Sequence, residues 1–276
     1  MAPSDAVPSS GPPRPPLDAA ALSARLVHPG GLWREIRVTG ETGSTNADLL
    51  QEARAGAAEG LVLAAETQTA GRGRLGRSWS SPPRAALACS VLLRPAAVPP
   101  AARGWLPLLT GIAVAAALRA EAGVPAGLKW PNDVLVAERK IAGILAEAHD
   151  DAIVVGIGLN VTLTADELPM PGATSLLLED AACLDRERLL GAMLTGLADR
   201  YRTWAAGPGA AGPGAAGLRA EYLRWCVTVG REIRVELPTG PPLTGTAADV
   251  DESGRLAVRT SSGTTLVGAG DIVHVR

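Results

Sequence analysis

The segment Glu66 to Pro82, ETQTAGRGRLGRSWSSP, gathers more residues able to do chemistry than any other stretch of this chain. Gly71, Gly73 and Gly76 satisfy the G-x-G-x-x-G pattern of a dinucleotide-binding loop. Gly71 to Ser78 also falls one residue short of a phosphate-binding P-loop, with Arg77 where lysine belongs. Both readings fail on context. A dinucleotide loop opens a helix and is followed by an acid about 20 residues on. Here the glycines run into Ser78-Trp79-Ser80-Ser81-Pro82-Pro83, and Arg94 stands near the acid's place. What remains is a glycine-rich loop carrying Arg72, Arg74 and Arg77. Glycine lets a ligand approach the backbone and its N–H groups. Guanidinium groups grip carboxylate or phosphate through paired hydrogen bonds and keep their charge. Such a loop suits an anionic ligand, and a solvated basic surface loop is the plainer alternative.

Three further segments carry similar ambiguity. In LKWPNDVLVAERKIAGILAE (128–147), Asn132 and Asp133 offer an amide and a carboxylate just before a strand. Lys140 ends a tight turn, with Gly143 leaving space beside it. Taken one at a time, turn chemistry and a solvated hairpin lysine explain these residues equally well. The run Gly156-Ile157-Gly158-Leu159-Asn160 places glycines inside a strand, which marks a bulge or a backbone approached closely by something else. Gly43-Ser44-Thr45-Asn46 reads as a helix cap, and a capped helix start also presents free N–H groups to anions.

These groups need elements to hold them. Glu35 to Val38 is the first convincing strand. Thr45 to Ala55 is helical, with Ser44 or Thr45 as cap, Asp48 in the first turn and Gly56 as the stop. Leu61–Ala65 and Leu87–Leu93 are short apolar strands. Trp105 to Ala122 is apolar on nearly all sides, so the pattern predicts a buried helix. Val134–Val136, Ile141–Glu147 and Ile153–Leu159 are strands joined by brief turns at Ala137–Lys140 and His149–Asp151. Connections that short join antiparallel neighbours, so the sheet is mixed or antiparallel and not doubly wound. Helix returns at Asp185–Trp204 and Leu218–Trp225. From Val227 the texture changes to brief Val-, Ile- and Thr-rich strands, expected to form a small all-β unit over 227–276. Residues 1–33 are expected to be a Pro-rich disordered tail (1–16) and a lead-in, ahead of a main domain over 34–226. That lead-in is too short for a helix-turn-helix domain. GPGAAGPGAAG at 207–217 reads as a flexible loop.

Composition narrows the classes. The chain has 276 residues, 47% hydrophobic and 20% charged, with no Phe, so Leu, Val, Ile and Ala must make the core. A net charge of −2 excludes a protein-wide electrostatic footprint for nucleic acid. Cys89, Cys183 and Cys226 lie far apart, and His28, His149 and His274 are isolated, which excludes a disulfide framework and a Cys/His metal site. No signal peptide is legible, and the apolar stretch Gly104 to Leu118 is shorter than the ~20 residues of a membrane span. The expected location is the cytoplasm.

Taken together and in this order, GSTN, ETQTAGRGRLGRSWSSP, KWPNDV…RKIAGIL and GIGLN resemble the biotin–protein ligases. YLRWCVTVGREIRV at 222–235 is similar to that family's passage into its last domain. The resemblance implies an α+β fold, a class II aminoacyl-tRNA-synthetase/biotin-ligase-like mixed sheet packed with helices, plus a small carboxy-terminal SH3-like β-barrel. It implies activation of biotin by ATP and Mg²⁺ to biotinyl-5′-AMP. Transfer then follows to a lysine on the biotin carboxyl carrier domain of a carboxylase. Carried over by position, it assigns catalysis to Lys140, Arg72 and Asp133. Biotin contacts fall to Ser44, Thr45, Asn46, Gln68, Gly71, Arg72, Gly73, Arg74 and Lys140, with Gly143, Gly156 and Gly158 as backbone walls. The adenylate falls to Arg72, Arg74, Arg77, Trp79, Asn132, Lys140 and Asn160. No residue is expected to ligate the metal directly, since ATP phosphates hold it. A monomer or weak homodimer is expected, with neither DNA nor membrane as partner. Lipoate–protein ligases share the fold and the adenylation logic, and a non-catalytic carrier- or nucleotide-binding module is the rival from another class. Leu75 departs from the pattern, since that position is often basic in relatives. Some relatives also carry an amino-terminal winged helix-turn-helix and repress transcription, and that role is not implied. The protein is therefore expected to show no sequence-specific operator binding at physiological salt. A salt-resistant, sequence-dependent gel shift would overturn this.

Overall fold

In the computed structural model, which describes residues 11–206 and 213–275, the chain opens with α1 (Ala19–Leu26), β1 (Glu35–Thr39), α2 (Thr45–Arg54) and β2 (Leu61–Ala65). It continues through β3 (Ala86–Leu93), α3 (Trp105–Ala117), β4 (Gly127–Lys129), β5 (Asp133–Val136), β6 (Arg139–His149) and β7 (Ala152–Asn160). Then come α4 (Arg186–Ala205), α5 (Pro213–Trp225) and five strands: β8 (Glu232–Glu236), β9 (Leu243–Val250), β10 (Leu256–Thr260), β11 (Gly263–Val267) and β12 (Asp271–His274).

Seven strands form one sheet in the order β1-β2-β3-β7-β6-β5-β4. β1 and β2 are parallel, because α2 carries the chain across between them. Every other neighbouring pair is antiparallel, so the sheet is mixed, as the short turns required. β3 is buried at all eight positions. Its alternate side chains explain this: Leu87, Cys89, Val91 and Leu93 face the main core, and Leu92 packs with Leu49, Leu50 and Ala53 of α2 on the other face. A strand covered on both faces needs an unbroken apolar run. α3 is apolar all round because it lies between the sheet and α4. The apolar run Pro100–Ala122 has the length and composition to cross a membrane, but here it is mostly buried in the core.

The last five strands form a wholly antiparallel sheet in the order β11-β10-β9-β8-β12. It shares the main core through Ile233, Val235, Val250 and Val258. Two indoles rivet it to the main body: Trp130, between β4 and β5, donates its Nε1–H to the Gly254 carbonyl at 2.9 Å, and Trp105 of α3 donates to the Glu252 carbonyl at 2.8 Å.

Two expectations are corrected. Residues 17–33 are not a loose lead-in: Asp18 caps α1 by accepting from the N–H groups of Ala20 and Ala21, and Leu22 and Leu26 are buried. Within the Pro-rich stretch, Arg14 pairs with Glu167 at 2.5 Å, and the Pro15 carbonyl accepts from Arg186 at 2.6 Å. Composition argued for disorder, but partners more than 140 residues away hold the segment. Residues 1–10 lie outside the described ones. Likewise, residues 213–217 do not form a loop but the first turns of α5, where Pro213 stands at a position that has no helix bond to lose. Residues 207–212 of that stretch lie outside the described ones.

Arg186 and Glu66 form an ion pair at 2.7 Å, with side chains only 4% and 7% exposed. Glu66 also accepts the N–H of Leu17 at 2.6 Å, so the pair joins the amino-terminal strap, α4 and the start of the 66–82 loop. Removing one partner of a buried pair costs about 3–5 kcal/mol. Arg186→Ala is therefore expected to lower Tm by roughly 10 °C. A shift under about 3 °C in a thermal melt would show that the pair holds nothing.

Candidate functional site

The seven-stranded sheet is bare where β6 and β7 run side by side. Gly143 pairs directly with Gly158, and Gly156 lies opposite Leu145. Side chains from elsewhere occupy that space. A Cβ on Gly158 would come within 2.5 Å of the Trp79 ring, and one on Gly156 within 2.3 Å of Asn46 Oδ1. Above this floor opens a cavity of about 1220 Å³, walled by the arginine loop, the start of α2, β5, β6, the 169–173 segment and β12.

The loop is built as a sharp turn. Leu75 (φ 55) and Gly76 (φ 73) are both left-handed, and Gly73 N–H donates to the Arg77 carbonyl at 2.6 Å. Arg74 points back into the site, where Nη1 donates to Asn132 Oδ1 at 2.9 Å and Nη2 to the Gly270 carbonyl at 3.2 Å. Its guanidinium is also 3.6 Å from Asp271, to which Arg77 donates at 2.6 Å. Burial pushes the Arg74 guanidinium below its ordinary value, while Asp271 and Asp133 pull the other way. Arg72 reaches Glu147 at 3.4 Å.

At the opposite wall, β5 and β6 turn through Ala137 (φ 47) and Glu138 (φ 68), a two-residue hairpin of the left-handed kind. That register sets Lys140 at the start of β6, with Nζ 2.6 Å from Asp133 Oδ1. Its backbone is clamped as well: Lys140 N–H donates to the Gly172 carbonyl, and the Lys140 carbonyl accepts from Thr174 N–H. Asn132 Nδ2 donates to the Ile144 carbonyl at 2.9 Å, which leaves its oxygen for Arg74.

The start of α2 forms the deep end. Ser44 caps the helix, and the Thr45 N–H donates to Gln68 Oε1 at 2.9 Å. Asn46 is fully engaged: Nδ2 donates to the Leu145 carbonyl and to Glu147, and Oδ1 accepts from Ser90. Asn160 Nδ2 donates to the Thr174 carbonyl at 2.9 Å. Cys89 also borders the cavity, but burial pushes its thiol up to about 12, so it is no nucleophile at neutral pH.

Of the site residues expected from the sequence, all but one border this single cavity. The exception is Gly71, which lies behind the wall where a Cβ would strike the Trp79 carbonyl at 2.3 Å and Gln68 Nε2 at 2.8 Å. Its glycine shapes the loop. The Trp79 ring lies against Gly158 and Gly143, in the space their missing side chains leave. The sequence did not reveal Ser90, Glu147 or the contribution of the last sheet. Arg231, just before β8, and His274 of β12 border the cavity, with Glu138 bridging Arg231 at 2.7 Å, while Asp271 acts from outside the wall on Arg74 and Arg77. Burial, with Lys129 and Arg231 close by, pushes the His274 imidazole below its usual value. Lone charges on short strands carry no local signal, whereas Glu147 stood inside a legible motif. Chemically, the arrangement offers several fixed cations, one carboxylate touching a lysine, and a polar recess at the deep end.

Comparison with known proteins gives the same ordering of parts. Residues 39–162 match the family model described as the biotin/lipoate A/B protein ligase family, and residues 228–275 match the biotin protein ligase C terminal domain. The chain is 45% identical over 268 residues to a biotin–(acetyl-CoA-carboxylase) ligase of Mycobacterium tuberculosis, covering 95% of this chain and 97% of that one. It is 31% identical to a bifunctional ligase/repressor of Bacillus spizizenii, covering 78% of this chain and 66% of that one. Among solved structures, a biotin protein ligase from Aquifex aeolicus in complex with biotin and ATP superposes with a TM-score of 0.74 at 28% identity, covering 88% of this chain and all of that one. Matched in sequence along nearly its whole length and in fold across both sheets, the chain belongs to the biotin–protein ligase family.

Proposed function

We propose that the protein condenses biotin with ATP to biotinyl-5′-AMP and pyrophosphate, then passes biotin to a lysine on the carrier domain of a biotin-dependent carboxylase. One observation carries this reading: a loop with three arginines and the Lys140–Asp133 pair face each other across a glycine floor in one cavity. At about 1220 Å³ that cavity exceeds the ~300–1,000 Å³ of an ordinary ligand pocket, as a two-part ligand requires.

In the first step an oxygen of the biotin carboxylate attacks the α-phosphorus of ATP, and pyrophosphate leaves with the bond electrons. Two anions must be brought together, so fixed positive charge is the principal need. Arg72 and Lys140 supply it at the reacting centre, and Arg74 and Arg77 supply it along the loop. Mg²⁺ enters on the phosphates of ATP and adds charge of the same sign. In the second step the carrier lysine attacks the acyl carbon and AMP leaves. The amine must give up a proton, and Asp133 is the carboxylate placed to take it. The recess formed by Thr45 and Gln68 suits the ureido group of biotin. A lipoyl dithiolane would bring no hydrogen-bonding group to Thr45 or Gln68, which favours biotin. The bare strip over Gly143 and Gly158 receives the flat part of the ligand, with Trp79 shifting to one side. We place the reaction in the cytoplasm, with a monomer or weak homodimer as the working form and no DNA partner.

Lys140→Ala is expected to cut biotin-dependent pyrophosphate release by at least about a hundredfold. Its Tm should stay within a few degrees of the parent's, since the ion pair it removes is partly exposed to solvent and such pairs are worth only about 1 kcal/mol. Release near the parent rate would make Lys140 an ordinary surface lysine. Arg74→Gly is expected to form the adenylate but to lose it. One charge-assisted contact of ~2 kcal/mol corresponds to about thirtyfold faster release. Biotin incorporated into a bystander protein such as albumin measures this, and equal bystander labelling at equal adenylate formation would remove Arg74 from the retaining role.

A further inference from the structure

Ser90 lies on β3 without exposed surface and outside the cavity wall. Its cross-strand partner is Gly156, the glycine on which Asn46 rests, so its hydroxyl reaches past the bare backbone to the start of α2. Ser90 Oγ is 2.6 Å from Asn46 Oδ1 and 2.7 Å from Thr45 Oγ1. A hydroxyl carries one hydrogen, so Ser90 cannot donate to both.

The direction is set from the far end. Asn46 Nδ2 is 3.2 Å from the Leu145 carbonyl and 2.8 Å from Glu147 Oε2. A carbonyl only accepts, so the amide nitrogen is fixed there and Oδ1 is turned toward Ser90. Ser90 must then give its hydrogen to Oδ1, and the 2.7 Å contact must be donated by Thr45. The hydrogens run one way, from Thr45 to Ser90 to Asn46. Gln68 Oε1 accepts the Thr45 backbone N–H at 2.9 Å and also lies 3.1 Å from Thr45 Oγ1, but the one hydroxyl hydrogen is committed to Ser90 at the shorter 2.7 Å. Thr45 borders the cavity, and what its hydroxyl has left to offer is lone pairs.

We infer that Ser90 is a specificity-determining positioning residue, which takes the hydroxyl hydrogen of Thr45 and makes that hydroxyl an acceptor toward the ligand. The site thereby selects a ring that presents an N–H at this point and rejects one that presents oxygen, which would set lone pair against lone pair. The inference rests on biotin occupying this recess, where its cyclic urea supplies the N–H. Deleting the Ser90 hydroxyl leaves the Thr45 hydrogen only the longer contact to Gln68 Oε1 at 3.1 Å, so the hydroxyl is freer to turn and donate to the ligand, and the preference relaxes even though Thr45 is untouched.

The test compares kcat/KM in pyrophosphate release for biotin and for carbamate analogues in which oxygen replaces one or the other ureido N–H. With Ser90→Ala, discrimination between biotin and one of the analogues is expected to fall by at least about tenfold. The KM for biotin should rise severalfold and the KM for ATP stay within twofold. In a Thr45→Val background, Ser90→Ala should have no further effect on discrimination, because the relay has lost its outlet. Ser90→Cys, which keeps the volume, gives the same readout should the alanine variant not fold. Unchanged discrimination in the Ser90 variants beside altered discrimination in Thr45→Val would overturn the inference alone. Unchanged discrimination and biotin KM in Thr45→Val as well would overturn the placement of biotin, and this inference with it. Parallel rises in both KM values with discrimination intact would make Ser90 merely structural, which also overturns it.

Discussion

Cations gathered to receive anions repel one another until those anions arrive, and the surroundings of this cavity are organised by that constraint. Arg72 rests against Glu147, Lys140 against Asp133, Arg74 and Arg77 against Asp271, and Arg231 against Glu138. Each carboxylate holds its partner's charge in place before substrate enters, at the cost of competing with it. The pairs are tuned by exposure. Arg72 and Arg77 are about half exposed and easily exchanged, whereas Arg74 is largely covered and held by three acceptors. Preorganised charge of this kind needs little rearrangement when a negative charge develops.

The second constraint is room. A sheet surface ordinarily carries side chains at every second residue, yet here Gly156 and Gly158 share a face of β7, and Gly143 meets Gly158 on β6. The bare backbone lets Trp79 and Asn46 lie directly on the sheet. The same exposed strip weakens packing, and the structure makes up for it on either side. β3 is buried along its whole length, and the hydroxyls of Thr45 and Ser90 are locked into one relay.

Most of the sheet was legible because its connections are short. The turn between β5 and β6 and the one between β6 and β7 leave only antiparallel pairing, and the glycines of β7 stand out against an apolar run. The arginine loop and the Asp133–Lys140 hairpin were legible for the same reason, since each is contained within a few residues. What escaped was whatever depends on partners distant in sequence. Arg14 reads as part of a disordered tail until Glu167 and Thr162 are placed beside it. Asp271 is one acid on a short strand until the loop of Arg74 and Arg77 lies against it. Ser90 is one polar residue in an apolar strand, with no neighbour in sequence to suggest that it orients Thr45. Gly71 erred the other way: its motif suggested ligand contact, and its packing against Trp79 and Gln68 shows that glycine is required by the fold of the loop.

Arg74 is attached at once to Asn132, at the entry to β5, and to Gly270 and Asp271, at the start of β12. It therefore works as a tie-rod between the two sheets, and the loop takes its position from both. The last sheet is thus part of the loop's anchorage: a change at Gly270 or Asp271, away from the glycine floor, alters how firmly Arg74 is held.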